Sequence, residues 1–539
     1  MMRQLPSWLA VGSFILLAIV LDVTGTLHVY GLGWLVGLKL ALVAGAIIAG
    51  LAGVMLLWAA WGHASPGAPS SALPRLINLL ILAAWLATAR NVLTFLLPTV
   101  AWWHQLWFVV GACLLGLFVV RPLDPRHTLS LAVVMGLVTR LFCIQQIVLD
   151  PRQSDMLPLV QLALQNLTAG QSPYAIYTMP WELPLTYMPL TWLAYLPTYL
   201  LGLDLRLTNL VAELVVLGAI VVLLSTKRIT TPNTSTLAHF LRHGSRLGHA
   251  LWPSPPVPPS ASSGSTGSPT GHRLSRKRER GDDVPELCHS NGKEEGGLDL
   301  YYLPCLLWAW LFLQPSSLNW MLSTTTPVWW ACLAVTLALA TRQAPGSAVA
   351  LGLSSAASPF AVHLWPFILI DRWRSHGLGA SLRFALRAAM VTLLCILPFM
   401  LWDGPMFRYG VWQWFNDLDN FPRMRWELDH IWSIMMGFSG IFWRYDLAFI
   451  LKPVQLTLVL GVILWFWYHK PSSGRLAAYV APTLLLFTVF NPVLWPYLYN
   501  QGLIAWLMAL AAGWPGGGQR PYALRYASGE PADGGSGLP

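Results

Sequence analysis

Charge is scarce in this chain. Asp, Glu, Lys and Arg make up 10% of its 539 residues, while 55% are hydrophobic and the mean hydropathy is +0.55. A soluble domain carries roughly a quarter of its positions as charges, so a water-soluble globular protein is excluded. Cysteine is also sparse: the six, Cys113, Cys143, Cys288, Cys305, Cys332 and Cys395, show neither CxxC nor Cys/His spacing. That pattern predicts no disulfide framework and no structural zinc. No repeat of about 20 to 50 residues stands out, which gives no support to a solenoid.

What the chain has in abundance is apolar runs. Crossing a hydrocarbon layer of ~30 Å takes about 20 apolar residues, and about fourteen candidate runs recur between Trp8 and Trp514. Several are short, notably Leu190 to Leu203 and Tyr301 to Leu313. The expected fold is therefore all-α, a polytopic transmembrane protein of about 12 to 14 membrane helices. The first run is longer than a signal-peptide core and lacks a small-x-small cleavage site, so it reads as a retained span.

The net charge of +10 does not call for nucleic acid, because membrane proteins use Lys and Arg first as cytoplasmic topology signals. A cytoplasmic N-terminus puts Arg3, Arg75, Arg121 and Arg126 inside and the segment Asp150 to Met188 outside. Counting back from the tail, with Arg372, Arg374, Arg383, Arg387, Lys470 and Arg475 inside, leaves Asp403 to His430 and Asn491 to Leu494 outside. Residues 225–300 hold ten Lys/Arg, including "RKRER" at Arg276 to Arg280. The basic content argues for the cytoplasm and the count for the opposite side, so their side stays open. Within that stretch "PSPPVPPSASSGSTGSPTG" is low-complexity sequence with too little apolar content to fold, and the tail 515–539 is similar. The expected organisation is membrane helices in 1–149, an outer loop and following helices in 150–224, a polar loop in 225–300 and membrane helices in 301–514.

The outer segment "SDMLPLVQLALQNLTAGQSPYAIYTMPWELPLTYMP" carries the candidate chemistry. Ser154 and Asp155 precede an apolar run that reads as a short surface helix ended by Gly170. Asp155 sits where a helix cap belongs, and capping alone would account for it. A carboxylate just outside the bilayer can also accept a proton from a hydroxyl. Glu182, between Trp181 and Leu183, fits a solvated rim residue. Asp150, ahead of Pro151, reads as the end of the preceding helix. Arg140, inside an apolar run, is costly there and needs a cavity, a carboxylate partner or a route to the interface.

The pattern of Asp155, a helix, Gly170, Pro173, Tyr174, and later Tyr187 and Pro189 resembles the first outer loop of the GT-C superfamily of polytopic glycosyltransferases. It is most similar to the polyprenol-phosphate-mannose-dependent branch, glycosyltransferase family 87. Leu159 stands where that family has Tyr, Met188 interrupts its Pro-Pro pair, and Ser358, in "SPFAVHLWPFILIDRWR", replaces a Lys. "NPVLWPYLYNQGLIAW" resembles the family's last outer loop, with Tyr497 toward the cavity.

The resemblance implies an integral multi-pass enzyme of a bacterial inner membrane or a eukaryotic endoplasmic reticulum. It would transfer a hexose, mannose in the nearest branch, from a polyprenyl-phosphate sugar donor to a lipid, glycan or protein acceptor. Asp155 would be the base of an inverting displacement, with Tyr174, Tyr187, Glu182 and Tyr497 around the substrates. Arg425 and His430, set among tryptophans in the loop Asp403 to His430, are the expected phosphate contacts. No organic cofactor and no nucleic-acid partner is expected; a divalent metal is left open. The competing expectation is a transporter or lipid flippase, for which "LGLSSAASPF" (Leu351 to Phe360) offers a plausible helix break.

Overall fold

Long apolar stretches leave the backbone no hydrogen-bond partner but itself, which in lipid means helices. The computed structural model describes residues 5–29, 51, 72–121, 124–151, 154–180, 182–229, 302–414, 442, 445, 447–491 and 496–513. The first half of the chain forms α1 (Leu5–Val29), α2 (Ala72–Asn91), α3 (Trp102–Val120), α4 (Pro125–Gln146), α5 (Met156–Thr168), α6 (Pro189–Leu193), α7 (Leu196–Leu200) and α8 (Arg206–Ile229). The second half forms α9 (Leu303–Phe312), α10 (Pro315–Ser323), α11 (Thr326–Thr341), α12 (Ser347–Ala357), α13 (Trp365–His376), α14 (Leu378–Trp402), α15 (Gly404–Arg408), α16 (Leu451–His469), α17 (Leu476–Val489) and α18 (Asn500–Gly513). A two-stranded antiparallel hairpin, β1 (Ile176–Thr178) and β2 (Glu182–Pro184), pairs Tyr177 with Leu183. Contacts divide the chain into 1–228 with 298–539, and 229–297.

Six of these helices, α2, α3, α4, α8, α14 and α16, are long and apolar enough to cross a membrane, counted among the described residues. Together with the near absence of strand, they make this an all-α polytopic membrane chain. Exposed Leu382, Leu386, Leu393, Leu394 and Leu401 run along α14, an apolar surface that water would not tolerate over such a length but lipid does.

The run Leu190 to Leu203, expected as a possible span, does not cross. It forms α6 and α7, five residues each, or ~7.5 Å of helix apiece. Pro189 starts the first and Pro197 the second, and Gly202 turns the chain with φ +66°. The chain then re-enters where it left, because Arg206 Nη2 donates to Ile144 O at 2.8 Å. The described residues of segment 147–205 thus sit at one end of the bundle. From there α8 carries the chain 24 residues away, and α9 starts at the far end, where Arg126 Nε donates to the Tyr302 hydroxyl at 2.7 Å. Residues 230–301, whose side the sequence leaves open, lie outside the described residues. The basic connectors after α11, α13 and α16 also meet away from Asp155, joined by Gln343 to Ser375 at 3.0 Å and to Ser473 at 2.7 Å.

A second interruption lies inside the bundle. Pro315 lacks an N–H, so α9 and α10 cannot be one helix without orphaned carbonyls. Side chains from three other helices satisfy the break instead. Arg140 Nη2 of α4 donates to Phe312 O at 2.8 Å, Thr88 Oγ1 of α2 to Leu313 O at 2.5 Å, and Asp22 Oδ1 of α1 accepts from Ser316 N at 2.9 Å. Arg140 also pairs with Glu213 of α8 at 2.8 Å, both side chains buried. After Ser323 the chain turns by 108° into α11.

Close packing elsewhere depends on glycine. A Cβ on Gly352 of α12 would lie 2.5 Å from Ala388 O and 2.7 Å from Val391 Cβ of α14. Gly352→Leu is therefore expected to separate these helices and abolish a folded, monodisperse product, whereas Gly352→Ala costs about 1–3 kcal/mol of overpacking. Size-exclusion profiles and unfolding temperatures of the two variants check this.

Candidate active site

The loop end of the bundle is built on α5. Its buried positions Leu157, Leu159, Val160, Ala163 and Leu164 face a second apolar cluster formed by Tyr174, Tyr177, Leu183, Leu185, Trp192 and Tyr195. Gly170, with φ +73°, ends the helix turn as the sequence requires. The hairpin is tied to α5 by Asn166 Nδ2, which donates to the Tyr177 hydroxyl at 3.2 Å and to Ser172 O at 3.3 Å. From the other side α14 and α15 close on the cluster, with Phe399 and Phe407 edge-on to Tyr174 at 6.1 and 4.8 Å.

Asp155 stands at the N-cap position of α5, but its own backbone is helical (φ −84°, ψ −20°) and its side chain makes no capping hydrogen bond. Among the described residues its carboxylate has no hydrogen-bond or ion-pair partner, and the residue is half-buried. The preceding residue is fixed: the Ser154 hydroxyl donates to Ser323 O at the end of α10. Asp155 is thus held against the α10–α11 bend with its carboxylate uncommitted.

Tyr187 and Tyr497 share that place. Burial, and then the neighbouring charges of Asp155, Tyr497 and Tyr195, push the Tyr187 hydroxyl well above the ordinary tyrosine range, while a side-chain hydrogen bond with Thr325 acts the other way. Tyr187 is therefore a neutral hydroxyl throughout the physiological range. Trp320 of α10 meets the Tyr497 ring edge-on at 5.5 Å. The bend itself is clamped by Asn209 of α8. Its Nδ2 donates to Met321 O at 2.8 Å and Thr324 O at 2.7 Å, and its Oδ1 accepts from the Tyr195 hydroxyl at 2.5 Å.

Of the residues expected at the site, Asp155, Tyr187 and Tyr497 come together. Tyr174 lies beneath them, 1% exposed, its hydroxyl donating to Tyr187 O at 2.9 Å and accepting from Trp192 Nε1 at 3.3 Å. Its part is to position Tyr187. Glu182 is exposed at the start of β2, opposite Thr178. Arg425 and His430 lie outside the described residues. Arg408, at the end of α15, is an exposed cation at this end of the bundle.

No family model, curated protein or solved structure matches this chain. Its function is therefore read from its own residues. Thr325, Asn209 and Tyr195 were not singled out from sequence; an Asn in the first turn of an apolar helix pattern gives no sign of the distant carbonyls it holds. Among the described residues no three His, Cys, Asp or Glu side chains gather as a metal site.

Burial also pushes the Tyr174 hydroxyl up. For both tyrosines the folded chain favours the neutral phenol. Their contribution to stability is full below the unfolded value near 10 and declines above it, by up to ~1.4 kcal/mol per pH unit for each phenol. The unfolding temperature is expected to fall between pH 9 and 11, and less steeply in Tyr187→Phe. Calorimetry on the two proteins checks the sign and the difference.

Proposed function

We propose that the chain is an integral membrane glycosyltransferase that moves a hexose, mannose in the first instance, from a polyprenyl-phosphate donor to a lipid or glycan hydroxyl at the loop end of the bundle. The observation that carries this reading is the uncommitted, half-buried carboxylate of Asp155, held beside two tyrosines at that end. A base so placed takes the acceptor proton as the acceptor oxygen forms its bond to the anomeric carbon. The bond from that carbon to the phosphate oxygen breaks, polyprenyl phosphate leaves with the electron pair, and configuration inverts. The neutral Tyr187 hydroxyl is a hydrogen-bond donor for a substrate oxygen, and Arg408, with Arg425 and His430 of the following segment, supplies cations for the departing phosphate. The exposed leucines of α14 suit a donor whose prenyl chain stays in lipid. The motif resemblance around Asp155, Gly170, Pro173 and Tyr174 supports the same class.

The transporter reading is favoured by one observation, the α9–α10 break with Arg140 and Glu213 inside the bundle. Membranes containing the protein, given radiolabelled polyprenyl-phosphate mannose and glucose, are expected to label a lipid or glycan product. Absence of any product, with protein-dependent movement of labelled lipid between leaflets, would replace the enzyme by the transporter.

A further inference from the structure

The exposed stripe along α14 begins with two arginines. Arg383, Arg387, Met390, Leu394 and Leu401 follow at helical spacing, which sets them on one face. All five are exposed, whereas Ser381, Phe384 and Ala388 turn the other side of the helix into the bundle. Trp402, exposed at the end of α14 that leads to α15 and the Asp155 loops, marks the interface there. Arg383 lies 19 residues before it, about 28 Å along the axis, and so stands at the opposite edge of a ~30 Å hydrocarbon layer. Arg387 is one turn deeper, within the layer.

Topology signals belong in the connectors, where Arg372 and Arg374 already supply them. An arginine inside a span needs a partner, as Arg140 has in Glu213. Among the described residues Arg383 and Arg387 make no hydrogen bond and no ion pair. The protein has little to offer them. Asp371 is the one acid in 342–402 and 451–491, and it is buried and accepts from Ser473 Oγ at 2.8 Å. Against it stand seven Lys/Arg in 342–387 and 470–475. Arg372 and Arg374 are committed elsewhere: Arg372 Nη2 donates to Ser347 Oγ at 2.8 Å, and Arg374 Nη1 to Phe466 O at 3.2 Å.

We infer that Arg383 and Arg387 hold the phosphate of an anionic phospholipid whose acyl chain lies along Met390, Leu394 and Leu401. Side chains on a helix lean toward its N-terminus, so the Arg387 guanidinium reaches back to the level of Arg383 and both meet a headgroup. A guanidinium grips phosphate through two parallel N–H donors. The positive excess selects an anionic head, since a choline or ethanolamine head would bring one more cation to a surface already rich in them. This lipid sits at the end of α14 away from Asp155, because the other end runs into α15 and sets Phe407 against Tyr174.

The test titrates the purified full-length protein, in a neutral detergent, with phosphatidylglycerol or phosphatidylcholine of the same acyl chains and counts bound lipids by native mass spectrometry. The first phosphatidylglycerol is expected to bind about thirtyfold tighter than phosphatidylcholine, the combined effect of two arginines at a headgroup. Arg383→Gln with Arg387→Gln should erase that preference, and Arg387→Gln alone should lower it about fivefold, which keeps the test open if the double variant does not elute as a folded species. Arg75→Gln with Arg121→Gln removes two exposed cations from the same end of the bundle and should leave the preference intact. Equal affinity of the wild type for both lipids, an unchanged preference in the Arg383 and Arg387 variants, or an equal loss in the Arg75 and Arg121 variant would overturn the inference. Displacement of the lipid by glycerol phosphate, the head without its chains, would also overturn it and make a free anion the occupant. The outcome does not depend on whether sugar is transferred.

Discussion

Asp155→Asn is expected to lower the rate of sugar transfer by about 10²–10⁴-fold, the usual contribution of a positioned general base, with little change in KM. Asn keeps the shape of Asp and removes only its ability to take a proton. The control is built into the local geometry. If Asp155 were a helix cap, its loss would destabilise α5, but the side chain makes no capping bond, and the helix is held through Ser154, Asn166 and its buried leucines. The unfolding temperature of Asp155→Asn should therefore match the wild type. A variant that loses activity and stability together would assign Asp155 a structural part. Tyr187→Phe removes one hydroxyl donor and is expected to have a smaller effect on rate, within about 10–100-fold, because a single neutral hydrogen bond is weaker than the base itself.

Among changes that leave the protein folded, the largest effect on stability is expected at Arg140. Replacing it with Met strands the Glu213 carboxylate and leaves Phe312 O without its donor. Breaking a buried pair by removing one partner costs about 3–5 kcal/mol. Arg140→Met combined with Glu213→Leu should recover part of that loss, since no charge is then left alone, but not all of it, because the carbonyl at the helix break stays bare. Thermal unfolding in one detergent gives the three values. A single variant within about 0.5 kcal/mol of wild type, the range of ordinary surface changes, would show that the pair does not hold the break together.

The elements that were legible in the sequence are those set by neighbours in the chain. Asp155, the apolar run and Gly170 announced α5, and Gly170 turns with the positive φ that few other residues accept. Hydropathy marked the long spans, which need no distant partner to be helical in lipid. It failed at Leu190 to Leu203, where apolar content suggested a crossing but Pro189, Pro197 and Gly202 cut the run into short helices. Partners far apart in sequence were the other blind spot. Asn209 reaches Met321 and Thr324, more than a hundred residues on, and no local pattern links them. Arg140 was conspicuous, yet its partner was not. Glu213, the one acid within α8, was the available signal: two opposite charges in separate apolar runs find each other because neither is stable alone.

The central claim, a base-assisted transfer from a lipid-linked sugar at Asp155, is tested most directly by one comparison. Purified wild type and Asp155→Asn, reconstituted in the same liposomes with polyprenyl-phosphate mannose and extracted membrane lipids, are followed in a single turnover for released polyprenyl phosphate and new glycosylated product. Equal amounts of the two products with an inverted anomeric linkage from the wild type, and neither from the equally folded variant, is the predicted result. Equal product from both proteins would contradict it.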